Sequence, residues 1–331
     1  MSGNAISIGT FDGVHHGHVA LVQRCRTFAK ANRGKAIILA FDPHPVTQLA
    51  PQAAPARLVT WDRKRALLIE NGADEVVRLS PTPDLLSKTG DQFLAWVWDQ
   101  FNPGLIVEGS DFHYGKGRDG TIATLCKFAT AKSAQVQVVE GIEVALGDHQ
   151  IVRASSSLVR WLVGHGRVGD AERVLGRWFE LEGTVVQGDR KGRTIGVPTC
   201  NLSTECMLPL DGVYAGRAIL RTGEQFAAVV AVGARPTVSG AQRRAEVHVL
   251  RETSRVSDVG AGGGVTAGVM QAGLQAGSQA WSLLPGVPEY GWPLRVQLHS
   301  FVRDEVKFPS WNHLKEQIDR DLQRVRELTR V

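Results

Sequence analysis

The chain is predicted to fold as a parallel α/β domain followed by a small antiparallel β-barrel that ends in a helix. Three observations lead there. At 331 residues the chain exceeds the roughly 100–200 typical of one domain. Its first half alternates short Val/Ile-rich runs with helical patterns, the mark of a parallel sheet covered on both faces. From Glu180 the pattern changes to alternating apolar and polar runs between Gly, Pro and Asp turns, which suits a small barrel.

In order, the strand candidates of the first half are Ala5–Gly9, Ala36–Phe41, Glu75–Leu79, Leu105–Glu108 and Val136–Glu140. Val19, Val22, Cys25 and Ala29 recur at helical spacing after the first strand, and helices are expected at Trp61–Glu70, Asp91–Phe101 and Thr121–Lys132. A helical pair, Ser156–Val163 and Val168–Leu175, closes the region and puts the boundary near Phe179, giving domains 1–179 and 180–331. Beyond it, Leu181–Val186, Gly212–Leu220, Phe226–Val232 and Glu246–Leu250 read as barrel strands. Leu314, Ile318, Leu322, Val325 and Leu328 then form the apolar stripe of a last helix able to dock on the barrel.

Between them, about residues 251–288, lies a low-complexity insertion. No charged residue occurs from Val259 to Pro288, but Gln271, Gln275, Gln279 and many glycines argue against the predominantly apolar run of about 20 residues that a membrane span needs. Those glutamines share one helical face, yet the composition fits a flexible surface insertion better.

Composition narrows the chemistry. The formal charge of +5, from 38 Lys+Arg against 33 Asp+Glu, suits phosphate-bearing ligands and is too small to demand nucleic acid or an anionic membrane. The four cysteines are too few and scattered for a disulfide framework or a zinc site, which points to a reducing compartment. No basic stretch followed by an apolar run opens the chain, so a cytoplasmic location is expected.

The first constellation follows the first strand: Thr10-Phe11-Asp12-Gly13-Val14-His15-His16-Gly17-His18, then a helix. A helix N-terminus presents unpaired N–H groups and a positive dipole end to phosphate, and Gly9, Gly13 and Gly17 let a nucleotide come close to the backbone. The dipole alone contributes about 0.3–1 kcal/mol, so His15 and His18 are the candidates to strengthen the phosphate grip. Phe41-Asp42-Pro43-His44-Pro45 and Gly109-Ser110-Asp111-Phe112-His113-Tyr114-Gly115 sit after strands two and four, at the carboxyl ends where open α/β sheets bind ligands. Ser155-Ser156-Ser157-Leu158-Val159-Arg160 opens a helix with hydroxyls and an arginine fork.

The second constellation is Gly183 through Asn201. Gly188, Gly192 and Gly196 recur every fourth residue, suited to wrapping a polyphosphate, while a P-loop's Gly-Lys-Ser/Thr ending is missing. Thr199 and Asn201, two positions apart on an extended chain, offer hard oxygens on one side, the ligands Mg²⁺ prefers alongside ATP phosphates. In Ala245-Glu246-Val247-His248-Val249 strand alternation puts Glu246 and His248 on one face and the valines on the other.

These motifs resemble the bacterial bifunctional riboflavin kinase/FAD synthetase family over almost the whole chain except Arg251–Pro288. The His-x-Gly-His turn resembles that of the nucleotidylyltransferase superfamily, and the resemblance implies a Rossmann-like first domain and a riboflavin kinase-like barrel. It implies that ATP is gripped by Gly9, Phe11, His15, His18, Ser156 and Arg160, with Asp12, Gly13, Ser155 and Ser157 beside them. It places the flavin toward Pro43, Asp111 and Phe112. It further implies that Thr199 and Asn201 hold Mg²⁺ and that Glu246 is the base for phosphoryl transfer. Pro209-Leu210-Asp211-Gly212-Val213-Tyr214, Gly233-Ala234-Arg235-Pro236-Thr237 and the tail Arg303-Asp304-Glu305-Val306-Lys307-Phe308 match the kinase half too.

Several positions depart from the family. Ser157 stands for Thr, Val159 for Ile, Tyr114 for a second Phe, Val197 for Phe and Trp178 for Pro, and a long neutral insertion precedes Tyr290-Gly291. The expected activity is therefore conversion of riboflavin to FMN and of FMN to FAD, each with ATP. The two rivals are an adenylyltransferase whose kinase half is impaired and a flavin-binding regulatory protein without turnover. Riboflavin, FMN, FAD and ATP are the expected partners, with neither nucleic acid nor membrane; the oligomeric state is left open.

Overall fold

A computed structural model describes residues 2–187, 199–237, 240–250, 288–306 and 308–329. The chain divides into two compact units, one of residues 1–179 with Glu205–Met207 and one of residues 180–204 and 208–331. The expected insertion falls almost wholly outside the described residues, as do Gly188, Gly192, Gly196 and Val197.

In the first unit the strands are β1 (Ala5–Gly9), β2 (Ala36–Phe41), β3 (Glu75–Leu79), β4 (Leu105–Gly109), β5 (His113–Tyr114), β6 (Gly120–Thr121), β7 (Gln135–Val139), β8 (Glu143–Ala145) and β9 (Ile151–Arg153). The helices are α1 (His16–Ala31), α2 (Val46–Leu49), α3 (Trp61–Glu70), α4 (Pro83–Ser87), α5 (Gly90–Phe101), α6 (Ile122–Ala131), α7 (Ser156–Gly164) and α8 (Val168–Leu175). Five strands form a parallel sheet in the order β3-β2-β1-β4-β7, while β5/β6 and β8/β9 are separate two-stranded sheets.

The near-continuous apolar strands follow from burial on both faces. On one face Ala5, Ala36, Ile38, Ala40, Leu105 and Val107 pack against Val22 and Cys25 of α1 and Leu67 and Leu68 of α3. On the other, Ile6, Ile8, Ile37, Leu39 and Ile106 meet Leu94 and Val97 of α5 and Leu125 of α6. Side-chain caps set the helix starts: Thr60 accepts from Arg63 N–H, Thr89 forms a capping box with Gln92, and Ser155 accepts from Leu158 N–H. Left-handed Asn102 and Gly176 close α5 and α8.

The second unit is a closed barrel of β10 (Phe179–Val186), β11 (Cys200–Ser203), β12 (Gly212–Ile219), β13 (Gln225–Thr237), β14 (Gly240–Val249) and β15 (Pro293–Arg303), ordered β10-β11-β14-β13-β12-β15. Register puts Val230 beside Val247 and Val232 beside Ala245, all fully buried in the interior. The last helix, α9 (Trp311–Thr329), buries Val325 with Leu322 and Leu328 against Ala215, Ala227, Val229, Leu250 and Val302. Its stripe also contains a charge. Asp321 is buried and receives Arg303 Nε at 3.0 Å and Nη2 at 2.7 Å, plus Gln317 Nε2 at 2.9 Å.

Among the described residues, no helix is long and apolar enough to cross a membrane. The α/β unit followed by a barrel and terminal helix is the expected fold; β5, β6, β8, β9, β11 and β15 are additional strands, α2 and α4 additional helices, and β13 and β14 are longer than the sequence pattern indicated.

Candidate active sites

The first site is built on the turn between β1 and α1. Phe11, Gly13 and Val14 have φ of 47°, 81° and 44°. Left-handed backbone is natural for Gly13 and costs about 1–3 kcal/mol at a bulky or β-branched residue, so surrounding contacts must hold the turn. Phe11 and Val14 are both buried, and Arg177 donates to the carbonyls of Gly13 (2.7 Å) and Val14 (3.1 Å). Asp12 is a second anchor. Its carboxylate accepts from Leu58 N–H (3.1 Å), Val59 N–H (3.4 Å) and Arg160, and Ser156 Oγ donates to its carbonyl at 2.7 Å.

His15 caps α1, its Nδ1 accepting from Gly17 N–H at 3.1 Å. That bond fixes the tautomer with the proton on Nε2. His18 stacks on His15 with ring centroids 3.7 Å apart. Burial, reinforced by His16, Arg177 and Arg160, pulls the His15 imidazole down to about 4. Burial, then His15, Lys64, Arg177 and Arg160, pushes His18 well below the usual histidine range, and its Nδ1 is enclosed without a hydrogen-bond partner among the described residues. Both rings are neutral at pH 7 while the field of two arginines reaches them.

A cavity of about 860 Å³ opens over this turn. Gly9, Phe11, His15, His18, Asp111, Phe112 and Ser155 line it, so the structure gathers these expected residues at the carboxyl ends of β1 and β4. Asp12, Gly13, Pro43, Ser156, Ser157 and Arg160 are not among its lining residues. Arg160 instead ties Asp12 to the Ala56 carbonyl, with Nε 2.6 Å from that oxygen. Away from the histidines the wall turns apolar, with Val46, Leu49, Leu85, Phe93, Phe112 and Tyr114. Phe112 and Tyr114 stack at 5.5 Å, and Leu49 is 67% exposed, an apolar surface suited to a flat ligand.

The loop after β2 is held from beneath. Asp42 is 2% exposed and meets Arg78 at 2.6 Å, Arg57 at 3.2 Å and Lys64 at 3.4 Å; the Asp42–Pro43 peptide is cis. His44 Nδ1 accepts from Val46 N–H at 3.2 Å.

The second site lies on the barrel. Thr199 Oγ1 donates to Glu246 Oε2 at 3.4 Å, and Asn201 is registered opposite Glu246 across β11 and β14. Directly paired residues share a sheet face, so Thr199, Asn201 and Glu246 form one oxygen-rich patch. Through β13, Glu246 pairs with Ala231 on the face where Val229 meets α9. Nearby, Arg243 binds Asp211 at 2.6 Å, and Tyr214 donates to the Leu210 carbonyl at 2.5 Å. The described residues contain no cluster of three or more His, Cys, Asp or Glu fit for a metal. A hydroxyl that donates its proton to a carboxylate still offers lone pairs, however. Thr199 and Asn201 therefore could hold a hard cation that takes its other ligands from a phosphate, with the Glu246 carboxylate beside them.

Arg177 and Glu108 were not singled out from sequence as site residues. Arg177 follows Leu175-Gly176, a helix-ending signal that gives no hint of its reach to the turn. Glu108 is an acid closing the apolar strand LIVEG, an anomaly readable in hindsight.

Residues 1–154 match the FAD synthetase family model, and residues 175–276 and 278–329 match the riboflavin kinase model. The chain is 31% identical over 328 residues to a bifunctional riboflavin kinase/FMN adenylyltransferase of Escherichia coli (strain K12), covering 98% of this chain and 92% of that protein. It is 28% identical to proteins of the same description from Haemophilus influenzae, covering 98% and 93% of the two chains, and from Bacillus subtilis, covering 97% and 90%. Among solved structures, one described as a macrolide-efflux protein from Streptococcus pneumoniae aligns over 98% of this chain and 94% of its own, with a TM-score of 0.78 and 24% identity, a likeness of fold alone.

Proposed function

The chain belongs to the bifunctional riboflavin kinase/FMN adenylyltransferase family, and from that premise we propose how its two halves phosphorylate riboflavin to FMN and adenylylate FMN to FAD. The observation that carries the assignment is that each family-matched half has its own assembled polar constellation: His15 stacked on His18 over the cavity, and Thr199 bonded to Glu246 on the barrel.

In the C-terminal half, Glu246 takes the proton of the riboflavin 5′-hydroxyl, whose oxygen attacks the γ-phosphorus of ATP as ADP leaves. The Thr199 hydroxyl holds Oε2 of the base in position. Thr199 and Asn201 are the residues that would hold Mg²⁺, which when bound neutralises phosphate charge. Gly188, Gly192 and Gly196 are assigned to the polyphosphate loop on their sequence pattern alone.

In the N-terminal half, an FMN phosphate oxygen bonds to the α-phosphorus of a second ATP while the bond to the bridging oxygen breaks and pyrophosphate leaves. The nucleophile is already anionic, so alignment and charge stabilisation suffice and no covalent intermediate is needed. His15 and His18 supply N–H donors to the phosphates, and Arg177 and Arg160 supply positive field. Asp12 and Ser156 act as braces of the turn, with Gly13 as its left-handed hinge point. Ser155 and Ser157 open α7 beside the phosphates. The isoalloxazine occupies the apolar wall near Phe112, with Asp111 at its edge and Pro43 shaping the neighbouring loop. This chemistry belongs in a cytoplasmic setting, where riboflavin and ATP meet.

The test is to incubate the full chain with riboflavin, ATP and Mg²⁺ and resolve FMN and FAD by chromatography over time. Glu246→Gln should stop FMN formation while FAD still forms from supplied FMN. His18→Ala should spare FMN formation and stop FAD. Normal FMN production by Glu246→Gln would remove Glu246 as the base.

A further inference from the structure

The two central strands of the parallel sheet part company. β1 pairs with β4 only at Ala5↔Leu105 and Ile6↔Ile106. On their outer sides, β1 stays paired with β2 up to Gly9↔Ala40, and β4 with β7 up to Gly109↔Val139. The strand order reverses at this place, so the crevice is the topological switch point where such sheets receive ligands. Within it the Ile8 N–H, left without a β4 carbonyl, donates to Glu108 Oε1 at 2.7 Å.

Glu108 is 1% exposed and still contributes to the cavity wall. Among the described residues Ile8 is its one hydrogen-bond partner, and no cation pairs with it. Burial drives the carboxyl well above the usual range, offset only in part by the Ile8 N–H. A buried carboxylate without a counter-ion is far costlier than the neutral acid. Oε1 accepts from Ile8, so Oε2 is the oxygen left for a ligand in the cavity, and in the neutral acid it is also the one that carries the proton.

We propose that Glu108 Oε2 hydrogen-bonds a sugar hydroxyl of the adenylyl-donor nucleotide, making Glu108 a binding residue for the nucleoside half of ATP. Connectivity directs the assignment. Glu108 is bonded to Ile8, which leads through Gly9 straight into the phosphate turn, and the sugar is the part of ATP covalently next to its α-phosphate. A nucleotide with its phosphates at His15 and His18 therefore brings its sugar over the end of β1.

The inference rests on the adenylyltransferase reading of the N-terminal half, and the test separates the two. FAD formation from supplied FMN is measured with the full chain as wild type, Glu108→Gln and Glu108→Leu, using ATP, 2′-deoxy-ATP and 3′-deoxy-ATP. Gln keeps an acceptor for Ile8 and a donor for the sugar, so its KM for ATP should stay near wild type. Leu removes both and should raise that KM roughly ten-fold. Leu also strands the Ile8 N–H, which would weaken all nucleotides alike. The diagnostic is the cycle: for the deoxy-nucleotide lacking the contacted hydroxyl, the Leu penalty should shrink relative to ATP.

A Leu penalty that is the same for all three nucleotides would overturn the contact, as would an unchanged KM or a Gln variant as impaired as Leu. If Leu does not fold, judged by its thermal midpoint, Glu108→Met replaces it in the cycle. A wild type that makes no FAD from FMN would instead refute the parent assignment.

Discussion

Acidification should weaken the N-terminal unit through His15 in a way that a single substitution removes. Its folded imidazole is held down to about 4 against an ordinary value of 6.5, chiefly by burial. Unfolding exposes the ring, which then takes up a proton that the native site refuses. The stabilisation is therefore complete above about pH 6.5 and is lost as pH falls toward 4, at about 1.4 kcal/mol per pH unit. Between pH 7.5 and 5 the loss amounts to about 2 kcal/mol. His15→Asn keeps an N-cap acceptor for Gly17 and does not titrate. Urea unfolding at the two pH values, followed by hydrogen exchange of α1 peptides, should show wild type losing about 2 kcal/mol more than the variant. The barrel's His299, lowered to about 4 by burial, is present in both proteins and cancels in the difference. His18 stays in both, held down chiefly by burial and only secondarily by His15. Equal losses in the two proteins would refute the desolvated-imidazole account.

The same neutral rings predict proton uptake when ATP arrives, because phosphate charge favours imidazolium. Calorimetry near pH 6 in buffers of different ionisation enthalpy should show uptake that shrinks in His15→Asn. Asp42→Ala would leave Arg78, Arg57 and buried Lys64 facing one another and should cost about 3–5 kcal/mol, read as a lower thermal midpoint of the N-terminal unit. A Cβ at Gly17 would lie 3.0 Å from His15 Cε1, so Gly17→Ala should raise the KM for ATP in FAD formation and leave riboflavin phosphorylation untouched. Asp321→Ala should destabilise the barrel by about 1–3 kcal/mol, because half-buried Arg303 loses its carboxylate partner. A midpoint change below one degree would argue that water already serves that arginine.

The parallel sheet was legible because burial on both faces writes itself as near-continuous apolar runs, as in Ala5–Gly9 and Ala36–Phe41, and the edge strand Glu75–Leu79 also keeps its expected bounds. β11 was hidden because CNLS is short and carries ligand-type residues, and β15 because its alternation resumes directly after the neutral insertion. The grouping of candidate side chains was legible where a motif or strand register brings them together, as in the stacked His15 and His18 and the bonded Thr199 and Glu246. It was illegible where tertiary contacts decide a side chain's task. Asp12 and Arg160 read as nucleotide ligands, yet in the fold they bind each other and the 56–59 backbone. Glu108 reads as a strand-end acid, and only the parting of β1 from β4 gives it something to do.

Arg177 clasps the carbonyls of Gly13 and Val14 from the far end of its unit's sequence. During synthesis the phosphate turn, made almost first, therefore waits for nearly the whole unit to leave the ribosome before its backbone is locked. A fragment trimmed to the 154 residues of the FAD synthetase match would retain every member of the His-x-Gly-His turn but no clasp. Such a fragment should hold ATP more weakly than the full chain, a difference that calorimetry on the two proteins would read.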